Sequence, residues 1–166
     1  MTPAPDRHFP NWFRMELAPV DDIRSDALRA GLAAWRNARG EREMPARRDL
    51  DPTAMPGFLL RHLLLIDVKH APRLRLRWRL IGTHVTEMMG RDSTGRYWDE
   101  LYPPEIADIL ATGPAAAMRT RGPVRTLGVA PAGDRSYLRS ENLDMPLSSD
   151  GETVDMIMVV SDFGRR

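Results

Sequence analysis

Apolar positions recur along the chain at two different periods. Between residues 21 and 39, Ile23, Ala27, Leu28, Gly31, Leu32, Trp35 and Ala38 fall three or four apart, which is the period of one helix face. Asp21 and Asp22 suit the positive end of that helix, Arg36 and Arg39 its negative end, and Gly40 stops it. Residues 58 to 68, FLLRHLLLIDV, are apolar on both parities, as in a strand covered on both faces. Residues 73 to 80 instead alternate strictly, with Leu74, Leu76, Trp78 and Leu80 on one side and Arg73, Arg75, Arg77 and Arg79 on the other. One dry face predicts an edge strand, and the short KHAPR between the two runs makes them an antiparallel hairpin.

The second half continues with THVTEMM as a helical turn that Thr83 can cap, then the short turn YWDELY, then a longer helix. That helix starts at Pro103 and Pro104, buries Ile106, Ile109, Leu110, Gly113 and Ala117, and closes at Arg121 before Gly122-Pro123. Three strands follow, at residues 123 to 130, 136 to 147 and 153 to 163, joined as hairpins by PAGDR and SSDGE. At the front, Pro3, Pro5, Pro10 and Pro19 forbid a continuous helix. Phe9, Trp12 and Phe13 nevertheless suit a docked segment. Residues 1 to 20 are therefore expected to be an N-terminal arm, and residues 21 to 166 one domain with a capping helix.

Composition narrows the function. The formal net charge of +1 conceals a bias, since the 24 basic residues are all arginine except Lys69. Near-neutrality argues against bulk nucleic-acid binding, which needs a basic face. Without cysteine there is no disulfide, no thiolate nucleophile, no cysteine metal site and no cysteinyl flavin adduct. No signal-peptide core and no span of about 18 apolar residues is present, so the cytoplasm is the expected compartment and no membrane partner is expected.

One stretch imitates a nucleotide site. GRDSTGRY, residues 90 to 97, keeps the two glycines of a phosphate-binding loop but has Arg96 and Tyr97 where lysine and a hydroxyl residue belong. Such a loop follows a strand and opens a helix; this one follows a helix. Gly90 reads as the left-handed residue ending that helix, and Asp92 to Gly95 as turn chemistry.

The order of two strands, small helices, one longer helix and three strands resembles the PAS fold. So do GTHVTEMMGRDSTGR, MPLSSDGETVDMIMVVSDF and MPARRDLDP, which are similar to an alphaproteobacterial PAS subfamily across residues 22 to 163. The resemblance implies an α+β domain: a five-stranded antiparallel sheet of order 2-1-5-4-3, helices on one face and the N-terminal amphipathic helix in addition. It implies a non-catalytic sensory or adaptor module in signalling, acting through ligand or protein binding. PAS proteins run from their last strand through an Asp-x-Thr signature into an effector; SDFGRR keeps Asp162, has Gly164 for the threonine, and leads to no output domain.

Individual candidates follow from these readings. His62, His84, Met88, Met89, Trp98 and Met118 could face a pocket, although buried methionines are more often plain core. The histidines lack a two-ligand helical spacing, so no metal site is expected; neither is a catalytic residue, haem or flavin, while an unidentified small molecule is left open. Leu28, Leu32 and Trp35 are candidates for interaction, as are Arg73, Arg75, Arg77 and Arg79, whose plainer role is a charged edge that discourages aggregation. A homodimer is expected, with a signalling protein as a further partner. Two other classes compete. A cavity enzyme of isomerase or dehydratase type would need a carboxylate or histidine pair in a pocket whose strand positions are mostly apolar, and a nucleic-acid binder would have to use the arginine edge.

Overall fold

The computed structural model describes residues 13 to 132 and 136 to 165. Six antiparallel strands form one sheet: β1 (Arg14–Ala18), β2 (Leu63–Lys69), β3 (Arg75–Ile81), β4 (Val124–Ala132), β5 (Ser136–Leu147) and β6 (Met156–Arg165), in the order β1-β4-β5-β6-β2-β3. The five strands expected from the pattern keep their predicted neighbours. The sixth, β1, comes from the stretch read as an arm, where Arg14 to Ala18 pair with Val129 to Arg125. Its addition satisfies the outer backbone groups of β4, which would otherwise be an open edge. Phe13 is buried, while Phe9 and Trp12 lie outside the described residues.

Helices cover both faces. On one face, α3 (Thr83–Met89), α4 (Trp98–Leu101), α5 (Pro104–Leu110) and α6 (Thr112–Thr120) pack over the sheet, α6 mainly on β4 and β5. On the outer face, α1 (Asp26–Arg39) lies across β5 and β6, with the short α2 (Gly57–Leu60) beside it. Both central strands are thus enclosed, which is why β2 and β6 are apolar at every position along much of their length. Gly31 brings α1 close to the sheet: a Cβ there would lie 2.5 Å from Val160 Cγ2.

Several boundaries differ from the sequence reading for local reasons. Val20–Asp22 form a 3-10 turn, and α1 starts at Asp26 because the Ser25 hydroxyl caps the Leu28 N–H. Residues 57 to 60 turn helically ahead of β2. Gly82 rather than Thr83 occupies the N-cap of α3, since a Cβ there would meet the Arg61 carbonyl oxygen at 2.3 Å. The longer helix divides at Ala111 into α5 and α6; Pro114 has no N–H to carry the first ladder across the break. In β3 the strict alternation fails at a bulge between Leu65 and Ile66 of the neighbouring strand, so Leu80 opposes Leu65 while Trp78 opposes Ile66. Leu80 therefore emerges on the outer face, apart from Leu76 and Trp78. Gly90, at φ 76°, ends α3 in the left-handed conformation, and Gly95 at φ 86° completes the turn.

Candidate functional site

Ser140, Asn142 and Asp144 alternate along β5 with Leu143, Met145 and Leu147. Such alternation ordinarily puts the polar side in water. Here α6 covers it, and Ser140, Asn142 and Asp144 are all buried, together with Thr126 directly opposite Asn142 on β4. The Asn142 amide donates to Thr126 Oγ1 at 3.3 Å and to Ser140 Oγ at 3.0 Å. Asp144 is different. It is 3% exposed, and its carboxyl makes no hydrogen bond or ion pair with the described residues. Burial alone pushes that carboxyl up to about 7. The helical side of the sheet, expected to be mostly apolar, thus holds a polar strip ending in an unpartnered acid.

A second cluster forms where β2 begins and β6 ends. His62 and His84 stack with ring centroids 4.0 Å apart. Their Nδ1 and Nε2 atoms lie 3.8 and 3.7 Å from Asp162 Oδ1. His62 Nδ1 is 2.9 Å from the Ser161 carbonyl oxygen, and the Phe163 N–H points at His84 Nε2 over 3.3 Å. Burial and the neighbouring His62 hold the His84 imidazole below its ordinary range, opposed by the Asp162 carboxylate. Asp162 also reaches α1, because its Oδ2 accepts the Ser25 hydroxyl at 2.7 Å.

The start of α1 is fixed by a third group. Glu141 accepts the backbone N–H of Ser25 at 2.7 Å and of Arg24 at 3.1 Å, and its Oε2 accepts the buried Arg125 Nε at 2.7 Å. Burial raises the Glu141 carboxyl, but the Arg24, Arg125 and Ser25 hydrogen bonds outweigh it and hold the group below the usual carboxylate range.

The other predicted site residues scatter. Trp98 is buried against Trp78 at 4.8 Å, its indole N–H without a partner among the described residues, and Met118 packs against the core. Met88 is half-buried and Met89 exposed, so neither joins His62 and His84. Leu28, Leu32 and Trp35 face their own sheet, where the Trp35 indole donates to the Pro146 carbonyl at 2.9 Å. The arginine edge is largely neutralised within the chain. Arg73 and Arg75 hold Asp99, Arg77 holds Asp67, and the Arg75 guanidinium lies 3.7 Å over the Tyr97 ring. Arg79 alone of the four has no ion pair among the described residues.

The antiparallel sheet, with small helices packed over one face and α1 over the other, fits the family that the comparison identifies. The PAS domain model matches residues 23 to 160, and the chain belongs to that family of sensory modules. No curated protein matches the chain. No helix among the described residues is long and apolar enough to cross a membrane.

Proposed function

We propose that this PAS domain is a non-catalytic sensory or adaptor module. It binds a small polar molecule between the sheet and α6 and passes the change through α1 to a second copy of the chain or to a signalling protein. The observation that carries this reading is Asp144, a buried carboxyl with no partner among the described residues, set beside a strip of hydroxyl and amide groups. A buried acid is costly unless something pairs with it, and a ligand bearing a donor or a cationic nitrogen would do so. Catalysis finds less support at this strip, because Asp144 forms no hydrogen bond or ion pair with a second titratable group among the described residues.

Native mass spectrometry and an absorption spectrum of the purified protein, followed by thermal shifts against small amines and polar amides, test the proposal. A colourless protein is expected, with at least one compound that raises the melting temperature of the wild type but not of Asp144→Asn. Stoichiometric haem or flavin absorption, or equal shifts in both proteins, would contradict it.

A further inference from the structure

We infer that His62, His84 and Asp162 form a binding site for one divalent transition-metal ion of the zinc class, which locks the start of α1 to the end of the sheet. The inference does not depend on the small-molecule reading above, since the cluster stands at the strand end and Asp144 lies beneath α6.

The argument begins with which atoms donate and which accept. Phe163 N–H donates to His84 Nε2 at 3.3 Å, which places the ring proton on Nδ1 and makes Nε2 an acceptor whose lone pair a metal ion would take over from that long hydrogen bond. Asp162 Oδ2 is occupied by the Ser25 hydroxyl, while Oδ1 has no hydrogen bond among the described residues and faces His84 Nε2 at 3.7 Å. Nε2 and Oδ1 are therefore both acceptors, and each can bind a cation. The third edge of the triangle is His62 Nδ1, 3.8 Å from the same oxygen, and all three atoms lie within 4.8 Å of one another.

A metal cation would bridge these acceptors. Metal–nitrogen bonds of about 2.0–2.1 Å in a tetrahedral site put ligand atoms roughly 3.3 Å apart, so the two edges at 3.8 and 3.7 Å and the third, within 4.8 Å, must all close on binding. Two imidazoles and one carboxylate select zinc, cobalt or nickel over magnesium or calcium, which prefer oxygen ligands. His62 would move its proton from Nδ1 to Nε2 on binding, giving up its bond to the Ser161 carbonyl, whose oxygen at 2.9 Å from Nδ1 then lies close to the ion. All three side chains are partly exposed, which leaves an approach from solvent.

The Asp162 ligand is already held in place by a neighbour. Ser25 orients the Asp162 carboxylate through Oδ2 and is also the N-cap of α1. Outer-shell partners of this kind commonly contribute about 10–100-fold to metal affinity. An ion held by Asp162 would therefore also fix the cap of α1.

The full chain, stripped with a chelator and dialysed, would be titrated with Zn²⁺ by calorimetry and with Co²⁺ by visible absorption. Uptake of one ion per chain is expected, with a cobalt band of low-coordinate N/O type. His84→Ala and Asp162→Asn should each weaken uptake by more than about 10-fold, and Ser25→Ala by about 10-fold. His70→Ala should leave it unchanged, because His70 bonds to the Val154 carbonyl elsewhere in the fold. Should the site variants unfold, imidazole ¹⁵N spectra of the wild type decide: the His62 and His84 signals must move together on adding Zn²⁺. Absence of uptake, uptake indifferent to His84 and Asp162, or signals that move only at other histidines would overturn the inference.

Discussion

The Asp144 carboxyl lies directly beneath Gly113 of α6, so close that a Cβ on the glycine would come within 2.3 Å of Oδ2. The helix thus buries the acid and leaves it without a partner among the described residues. Its carboxyl titrates near 7 in the fold against 3.8 for the ordinary side chain. Between those two values the native state keeps a proton that the unfolded chain has released, so stability must fall as the pH rises from about 4 to about 7 and level off above. The full penalty is on the order of 4 kcal/mol. Urea unfolding at pH 5 and pH 8 checks this: wild type should lose stability across the interval and Asp144→Asn should not, so that the variant is the more stable of the two at pH 8. Parallel pH profiles for both proteins would contradict the assignment.

Two glycine substitutions should separate crowding from backbone strain. Gly113→Ala sets a methyl group against a buried carboxyl and should cost about 1–3 kcal/mol, reduced when Asp144 is also shortened to alanine. Gly90→Ala meets nothing within 4 Å, yet φ 76° strains any other residue, at a cost on the order of 1 kcal/mol. Unlike the first, this penalty should be indifferent to Asp144. Denaturation midpoints of the wild type, the two glycine variants, Asp144→Ala and the two double variants give both comparisons.

The contrast shows what sequence could reveal. Periodicity located the strands and α1, and turn chemistry placed Gly90 correctly, because each depends on neighbours a few residues away. The five-strand order came from resemblance to the PAS fold. The sixth strand escaped because the partner of residues 14 to 18 is more than a hundred positions distant, and only that pairing makes them a strand. Asp144 escaped for a related reason: Ser140, Asn142 and Asp144 have the pattern of a wet strand face, and only the position of α6 makes them buried. His62 and His84 were singled out individually, but their juxtaposition with Asp162 depends on β2 and β6 pairing in register.

Loss of the Glu141 anchor should loosen α1 in a pH-dependent way. Since the folded-state carboxyl is held below its ordinary value of 4.5, its contribution is present above that pH and disappears as the pH falls through the lower, folded value. Arg125→Met is expected to cost about 3–5 kcal/mol at neutral pH, because it leaves the largely enclosed Glu141 charge without its guanidinium partner. Arg125→Met combined with Glu141→Gln should recover part of that loss. Hydrogen exchange of the first turn of α1 gives the local readout: faster exchange is expected in Glu141→Gln while the amides of β5 remain protected. Uniform acceleration throughout the sheet would mean that the anchor supports the whole domain instead.

The last expectation concerns self-association, which must use what α1 leaves uncovered. Leu28, Leu32 and Trp35 are already spent on the outer face of their own sheet, so they cannot also meet a partner. Leu127 on β4 opposes Glu141, and Leu80 on β3 opposes Leu65; both therefore lie on the outer face, and both are exposed. They flank α1 from the two sides and offer apolar surface to a second copy. Deleting residues 1 to 39 would remove α1 and β1 together, baring Leu143, Met145, Met158 and Val160 as well as the edge of β4. Low solubility of that truncation is expected, but it tests folding as much as assembly. Leu80→Glu combined with Leu127→Glu is the sharper variant, since exposed positions can accept a charge at little cost to the fold. Sedimentation should show a wild-type dimer and a monomeric double variant of nearly equal melting temperature. A wild type that remains monomeric at high concentration, or a double variant that still dimerises, would rule out this surface.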